Sequence, residues 1–121
     1  MQPYAFRAIV VAALALSGAS PLFAQSNYPT KPIRVIVPYA PGGGSDIVAR
    51  IVGQKMSESL GQTMVVDNRP GAAGMLGAEL AENAPADGYT ILLADSSFTI
   101  NASYFKQKRY DAQTGFSSAA A

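Results

Sequence analysis

The sequence predicts an α/β fold, namely an incomplete doubly wound parallel sheet that forms a first-domain fragment preceded by a signal peptide. Three observations predict it. Short β-branched segments alternate with segments of helical periodicity, Pro/Gly-rich turns separate them, and an apolar N-terminal run ends in small residues. Strand, helix, strand, helix, strand is the pattern of a parallel sheet with right-handed crossovers, and the expected strand order is 2-1-3. Three strands and two helices make a thin core, so the 121 residues are expected to stop inside a larger fold.

The N-terminal segment is taken first. Arg7 precedes an apolar run from Ala8 to Leu16, broken by Ser17, Gly18, Ser20 and Pro21 before Leu22-Phe23-Ala24. This is the charged, apolar and small-residue order of a secretory signal, with cleavage expected after Ala24 and Leu22 as its imperfection. The run is too short for the roughly 20 apolar residues that span a bilayer, and no cysteine is available for a lipid anchor. Residues 1–24 are therefore expected to be a signal peptide. Residues 25–121 are expected to be a partial N-terminal α/β lobe, not embedded in a membrane.

The remaining elements follow in order. Ile33-Arg34-Val35-Ile36-Val37, between Pro32 and Pro38, reads as a strand. A glycine-rich turn leads to Ser45 as a candidate N-cap and a helix from Asp46 to about Leu60, closed by Gly61. Ile47, Val48, Ile51, Val52, Met56 and Leu60 form one stripe at helical spacing. Met64-Val65-Val66 reads as a second strand. Gly74 to Ala84 reads as a second helix, with Met75, Leu76 and Leu80 on its buried side. Tyr89 to Ala94 is the third strand, and a short helix is expected near Phe98 to Phe105. The tail from Tyr110 gives no clear pattern.

Composition removes several functions. The chain has no cysteine, histidine or tryptophan. That excludes a disulfide framework and thiolate metal sites, and it removes the commonest general base. The net charge is +1; without Arg7 it is zero. A neutral lobe has no electrostatic footprint for nucleic acid. No enzyme activity, cofactor or metal is expected, and any bound anion must be held locally.

Ligands of open α/β sheets bind beyond the carboxyl ends of the strands, where the strand order switches. With order 2-1-3, that places Pro41-Gly42-Gly43-Gly44-Ser45-Asp46 opposite Asp95-Ser96-Ser97. The amides of Gly43, Gly44, Ser45 and Asp46 open a helix, where free donors and the helix dipole attract anions. A carboxylate at Asp46 would itself repel an anion, so its part requires a ligand amino group or bridging water. Ser96 and Ser97 could donate to a carboxylate or simply cap the next helix. Asn68-Arg69-Pro70-Gly71-Ala72-Ala73-Gly74 is a second glycine-rich loop before a helix, in which Arg69 could pair with a carboxylate. Nucleotide fingerprints fail, because Ile47 stands where a third glycine belongs and the first loop has no lysine. Asp67 after strand 2 keeps a dinucleotide reading open. Asn101-Ala102-Ser103 matches a glycosylation sequon, but with a signal of bacterial type the match reads as chance.

Three stretches carry a resemblance. They are Tyr28-Pro29-Thr30-Lys31-Pro32-Ile33-Arg34 with Val37 to Asp46 and Ala49-Arg50, then Val65 to Gly74, then Pro85 to Leu92. Together they resemble the tripartite tricarboxylate transporter solute receptors, also called Bug-type receptors, over nearly all of Tyr28 to Asp111. The resemblance implies a periplasmic binding protein type II-like fold of two hinged domains. It implies a periplasmic receptor that captures a small organic carboxylate and passes it to membrane permease subunits, with no covalent chemistry. It points to Gly43, Gly44, Ser45 and Asp46 as ligand contacts, with Gly71, Ala72 and Gly74 beside them. It also implies that a second domain and a returning strand lie beyond this chain, so the fragment alone is expected to bind weakly or not at all. Two alternatives stay open here: a nucleotide-binding domain of a doubly wound enzyme, and a non-functional exported remnant.

Overall fold

A computed structural model describes residues 27–106 and 109–118. The expected signal peptide lies outside the described residues. Three parallel strands form one sheet, β1 (Ile33–Val37), β2 (Met64–Asn68) and β3 (Thr90–Leu92), in the order β2-β1-β3. The helices are α1 (Gly44–Leu60), α2 (Met75–Glu82) and α3 (Ser96–Tyr104), with a 3-10 turn over Ala72–Gly74. The expected order and parallel pairing are those observed.

β1 is the central strand, and its sequence shows why. Ile33, Ile36 and Val37 are fully buried and Val35 nearly so, as expected for a parallel strand covered on both faces. Ile33, Val35 and Val37 pack against Ala49 of α1 and Met64 of β2. Ile36 and Arg34 point to the opposite face, on the side of α2 and α3. There Met75, Ala78 and Tyr110 form a second cluster with Leu92 and Phe98. Arg34 is tolerated in the middle of the sheet because Asp67 of β2 accepts from both its Nε (2.7 Å) and its Nη2.

The helices sit differently from their apolar spacing. α1 buries Asp46, Ala49 and Gly53, while Ile47, Val48, Ile51 and Val52 are exposed. Small residues let this helix lie close on β2, since a Cβ on Gly53 would stand 3.4 Å from the Met64 Cβ. α2 buries Met75, Gly77 and Ala78, so Leu76 and Leu80 are exposed, contrary to the sequence expectation. The cause is again close approach: a Cβ on Gly77 would meet the Pro38 Cβ at 2.7 Å. α1 ends where Gly61, at φ +67°, donates its N–H to the Ser57 carbonyl. β3 is shorter than expected. The tail, illegible in sequence, folds back so that Tyr110 stacks on Phe98 at 4.8 Å and Phe116 meets the same ring edge-on at 5.1 Å.

These two burial patterns separate two substitutions of one chemical type. Ile36→Ala removes a fully buried side chain and is expected to cost about 2–5 kcal/mol. Ile51→Ala, at a position 60% exposed, is expected to stay within about 0.5 kcal/mol of the parent. Urea denaturation of both variants checks the assignment of inner and outer faces.

Candidate functional site

The three strands end on one side of the sheet, and the loops that leave them are stitched together there. Arg69 donates its N–H to the Val37 carbonyl (2.8 Å) and Leu93 its N–H to the Ile36 carbonyl (3.0 Å), which prolongs both pairings past the strand ends. The loop after β1 holds Pro38 to Gly43. Its centre is fixed by Asp46 from the first turn of α1, which is only 3% exposed. The Asp46 carboxylate accepts from the Gly42 amide (2.9 Å), from Arg50 Nε one turn later (3.0 Å) and from Asn68 Nδ2 at the end of β2 (3.0 Å). The same Asn68 nitrogen donates to the Tyr39 carbonyl (3.2 Å), and Arg50 reaches the Asn68 Oδ1 (3.3 Å). One carboxylate thus anchors the loops after β1 and β2 to α1.

Tyr39 makes the link to the loop after β3. Its hydroxyl donates to Asp95 Oδ1 and contacts the Ser97 hydroxyl. Asp95 is the N-cap of α3 and accepts from the Ser97 amide (2.9 Å) and hydroxyl (2.6 Å). Ser97 is therefore half-buried and engaged, whereas Ser96 is exposed. Between these loops lies a crevice lined by Pro38, Tyr39, Gly74, Ser97, Phe98 and Asn101. Its volume of about 10 Å³ is the room of about one water molecule. A metabolite would therefore rest on the mouth of this crevice and not inside it.

The predicted residues of the first loop divide in two. Gly43 is the N-cap of α1 and makes no side-chain cap; Ser45, the expected cap, lies inside the helix. The first intrahelical bond is from the Ile47 amide to the Gly43 carbonyl. Among the described residues no acceptor takes the amides of Gly43, Gly44, Ser45 or Asp46. These amides form an open helix N-terminus with exposed glycines. The Asp46 side chain, by contrast, is turned inward and fully engaged.

The second loop has an unusual backbone. Gly71, Ala72, Ala73 and Gly74 all have positive φ, at 137°, 47°, 55° and 90°. Glycine adopts such angles freely, but each alanine there costs about 1–2 kcal/mol. Gly74 donates to the Gly71 carbonyl (3.0 Å), and Asn101 Nδ2 on α3 donates to the Ala73 carbonyl (2.7 Å). The turn leaves the Ala72 and Ala73 amides without a protein acceptor among the described residues. Asn68, Tyr39, Asp95 and Asn101 were not singled out as site residues from sequence. The bonds Tyr39–Asp95, Asn68–Asp46 and Asn101–Ala73 span 56, 22 and 28 residues, which no local pattern reports.

The electrostatics follow from these contacts. Arg50, the Gly42 amide and Asn68 hold the Asp46 carboxyl down to a pKa of about 2. Burial works to raise Asp67, but Arg34 and Arg69 outweigh it and its carboxyl lies below the usual range. The Arg69 Nε–Asp67 contact is 2.9 Å and ties Arg69 to the end of β2. Asp95 is lowered by its bonds from Ser97 and Tyr39. Burial, then the bond to Asp95, raises the Tyr39 hydroxyl. Ionised carboxylates, each held by donors of the lobe, therefore lie behind a set of unused amides.

Comparison with known proteins agrees with this fold. Residues 48–119 match the family described as tripartite tricarboxylate transporter family receptor. The chain belongs to this receptor family. Protein BugT of Bordetella pertussis is 41% identical over 90 residues, which are 74% of this chain and 28% of BugT. A periplasmic transporter of known structure is 52% identical, with a TM-score of 0.67 over 69% of this chain and 29% of its own. Rpa4515 of R. palustris, solved with adipate, is 39% identical, with a TM-score of 0.55 over 55% of this chain and 22% of its own. MatC from Rhodopseudomonas palustris, solved with bound malate, is 38% identical, with a TM-score of 0.52 over 54% of this chain and 22% of its own. The chain spans between 26% and 33% of the length of the curated relatives it matches. The family is one of solute receptors and not of enzymes, which removes the nucleotide-using enzyme as an alternative. No helix among the described residues is long and apolar enough to cross a membrane.

The Asp46 network makes a prediction about acid. The folded carboxyl titrates at about 2, below the value near 4 of a free aspartate. The network's contribution is therefore complete above about pH 4 and is lost as pH falls towards about 2. Asp46→Asn is expected to be less stable at pH 7 and to lose less stability between pH 4 and 2. Asp67 and Asp95 still titrate in the variant, so a reduced slope remains. Urea midpoints across that pH range are the measurement.

Proposed function

We propose that this chain forms one wall of the ligand cleft of an exported receptor for small organic carboxylates, which delivers its ligand to the permease of a tripartite transporter. The supporting observation is the pair of glycine-rich turns at the carboxyl ends of neighbouring strands. Each offers backbone amides that nothing in the described lobe uses. A carboxylate placed over the crevice mouth would accept from the amides of Gly43, Gly44, Ser45 and Asp46. Gly71, Ala72 and Gly74 would flank it, with Ser96 and Ser97 beyond Tyr39. Such donors need no cation, in keeping with a lobe of zero net charge after residues 1–24.

Family membership and ligands of the solved relatives point the same way. Malate and adipate are both dicarboxylates, and the amide cradle reads the group they share. The dinucleotide reading has lost its ribose ligand, because Asp67 is held by two arginines. Residues 1–24 serve on this reading as a cleaved export signal and residues 25–121 as the partial first lobe. With one wall alone, binding is expected in the millimolar range, the order of the weakest specific affinities.

Gly44 allows a clean test. It is the first helical residue, follows a Gly43 at φ −78° and ψ 169°, and has nothing within 4 Å of where its Cβ would be. Proline is favoured at that position and after an extended residue, so Gly44→Pro deletes one amide donor without disturbing the helix. Titrations with malate and adipate followed by amide NMR shifts should perturb residues 43–46 and 71–74 in the parent and in Gly44→Ala. In Gly44→Pro the affinity should fall by about tenfold, the worth of one hydrogen bond to a charged group. Perturbation confined to other surfaces, or saturable binding of NAD alone, would refute the reading.

A further inference from the structure

The Asn101 side chain has no role in the cradle as described, yet it is buried and spends its amide on a single backbone carbonyl. We propose that Asn101 is a positioning residue that latches the Gly71–Gly74 turn in its left-handed form, and thereby keeps the Ala72 and Ala73 amides available to ligand. The proposal rests on the carboxylate-receptor reading for its functional consequence, but the latch itself rests on geometry alone.

Two alanines in succession at φ 47° and 55° are held against their own preference, so something outside the turn must over-determine them. The local bonds come from the turn itself and the start of α2: the Gly74 amide (3.0 Å) and the Leu76 amide (3.5 Å) donate to the Gly71 carbonyl, and the Met75 amide donates to the Ala72 carbonyl. None of them reaches Ala73. The bond that reaches an alanine from elsewhere is Asn101 Nδ2 to the Ala73 carbonyl, at 2.7 Å across 28 residues. Asn101 is 9% exposed, so water competes little for that carbonyl. Its helix is itself braced. Asp95 at the start of α3 is bonded by Tyr39 from the loop after β1, and Tyr110 donates to the Phe98 carbonyl one turn before Asn101. The latch therefore joins the turn to the same framework that fixes the first glycine loop. It also explains the sequon match as coincidence of spelling, since a side chain so engaged presents no amide for modification.

Asn101→Leu keeps the size and removes the donor without setting a charge against the Ala73 carbonyl, and Ala73→Gly removes the penalty that makes a donor necessary. In Asn101→Leu, the three-bond HN–Hα couplings of Ala72 and Ala73 should leave their left-handed values, while amide shifts of Ile36 and Val37 stay in place. If the turn is then competent about one-tenth of the time, malate affinity falls about tenfold. The double variant Asn101→Leu/Ala73→Gly should recover affinity to within about twofold of the parent, the turn now being competent most of the time. Should Asn101→Leu fail to fold, a folded spectrum for the double variant supports the latch and an unfolded one overturns it. Unchanged Ala72 and Ala73 couplings in a folded Asn101→Leu also overturn it, as does failure of Ala73→Gly to rescue. If the parent binds neither malate nor adipate, the amides of this lobe do not by themselves hold those acids, and the couplings still judge the latch.

Discussion

A buried carboxylate sets the geometry of this lobe. The loop after β1 ends in Gly42 and Gly43, which carry no side chain that could hold its shape there, so at that end the shape is imposed from below. Asp46 supplies that hold through the Gly42 amide, and Arg50 and Asn68 supply the donors that make its burial tolerable. Breaking such a set by removing one partner leaves an uncompensated charge, which is why buried ion pairs come with full hydrogen bonding or not at all. The arrangement also answers an objection raised by the sequence. A carboxylate in the first turn of a helix should repel an anion at that helix's N-terminus. Here Arg50 neutralises it and its oxygens face inward, so the amides above it keep their positive character.

The second loop solves a similar problem with strain in place of charge. Gly71 and Gly74 enter and leave the left-handed region at little expense, but the two alanines between them do not. Both loops sit at the carboxyl ends of neighbouring parallel strands, the place where open α/β sheets bind ligands. Both keep their anchors behind the surface and their free amides on it. Two arginines near these loops, Arg50 and Arg69, donate their Nε groups to Asp46 and Asp67. What the loops themselves offer on the proposed reading is a set of neutral donors in fixed positions, suited to an oxygen pair.

Much of this was legible in the sequence, for reasons that can be named. β1, its glycine loop and α1 follow one another within 28 residues, and their alternation of β-branched, Gly/Pro and helical patterns reports local preference directly. The order β2-β1-β3 follows because short crossovers leave few alternatives. The inner faces of the helices were not legible. An apolar stripe at helical spacing suggests burial, yet Gly53 and Gly77 decide which side meets the sheet, through close approach that hydrophobicity does not encode. The left-handed alanines were also hidden, since alanine by itself signals a helix. Asp46 read as a carboxylate that an anion would have to approach through water, and its bonds from the Gly42 amide and from Asn68 of β2 reveal it as a brace. The tail gave no periodicity because its order comes from Tyr110 and Phe116 finding Phe98, three rings separated along the chain.

The depth of the crevice has a consequence for specificity. Pockets that enclose a small molecule measure about 300–1,000 Å³, whereas the space between Tyr39, Gly74 and Asn101 is about 10 Å³. A wall this shallow touches one end of a ligand and leaves the rest uncovered. The free donors beside it are backbone amides, which cannot distinguish one acid from another beyond the carboxylate they share. On the proposed reading, discrimination between acids of different length or substitution therefore falls to side chains and not to those amides. Recognition of the carboxylate and choice among carboxylates are in that sense separate properties, and on the proposed reading the first belongs to the amides at residues 43–46 and the turn at residues 71–74.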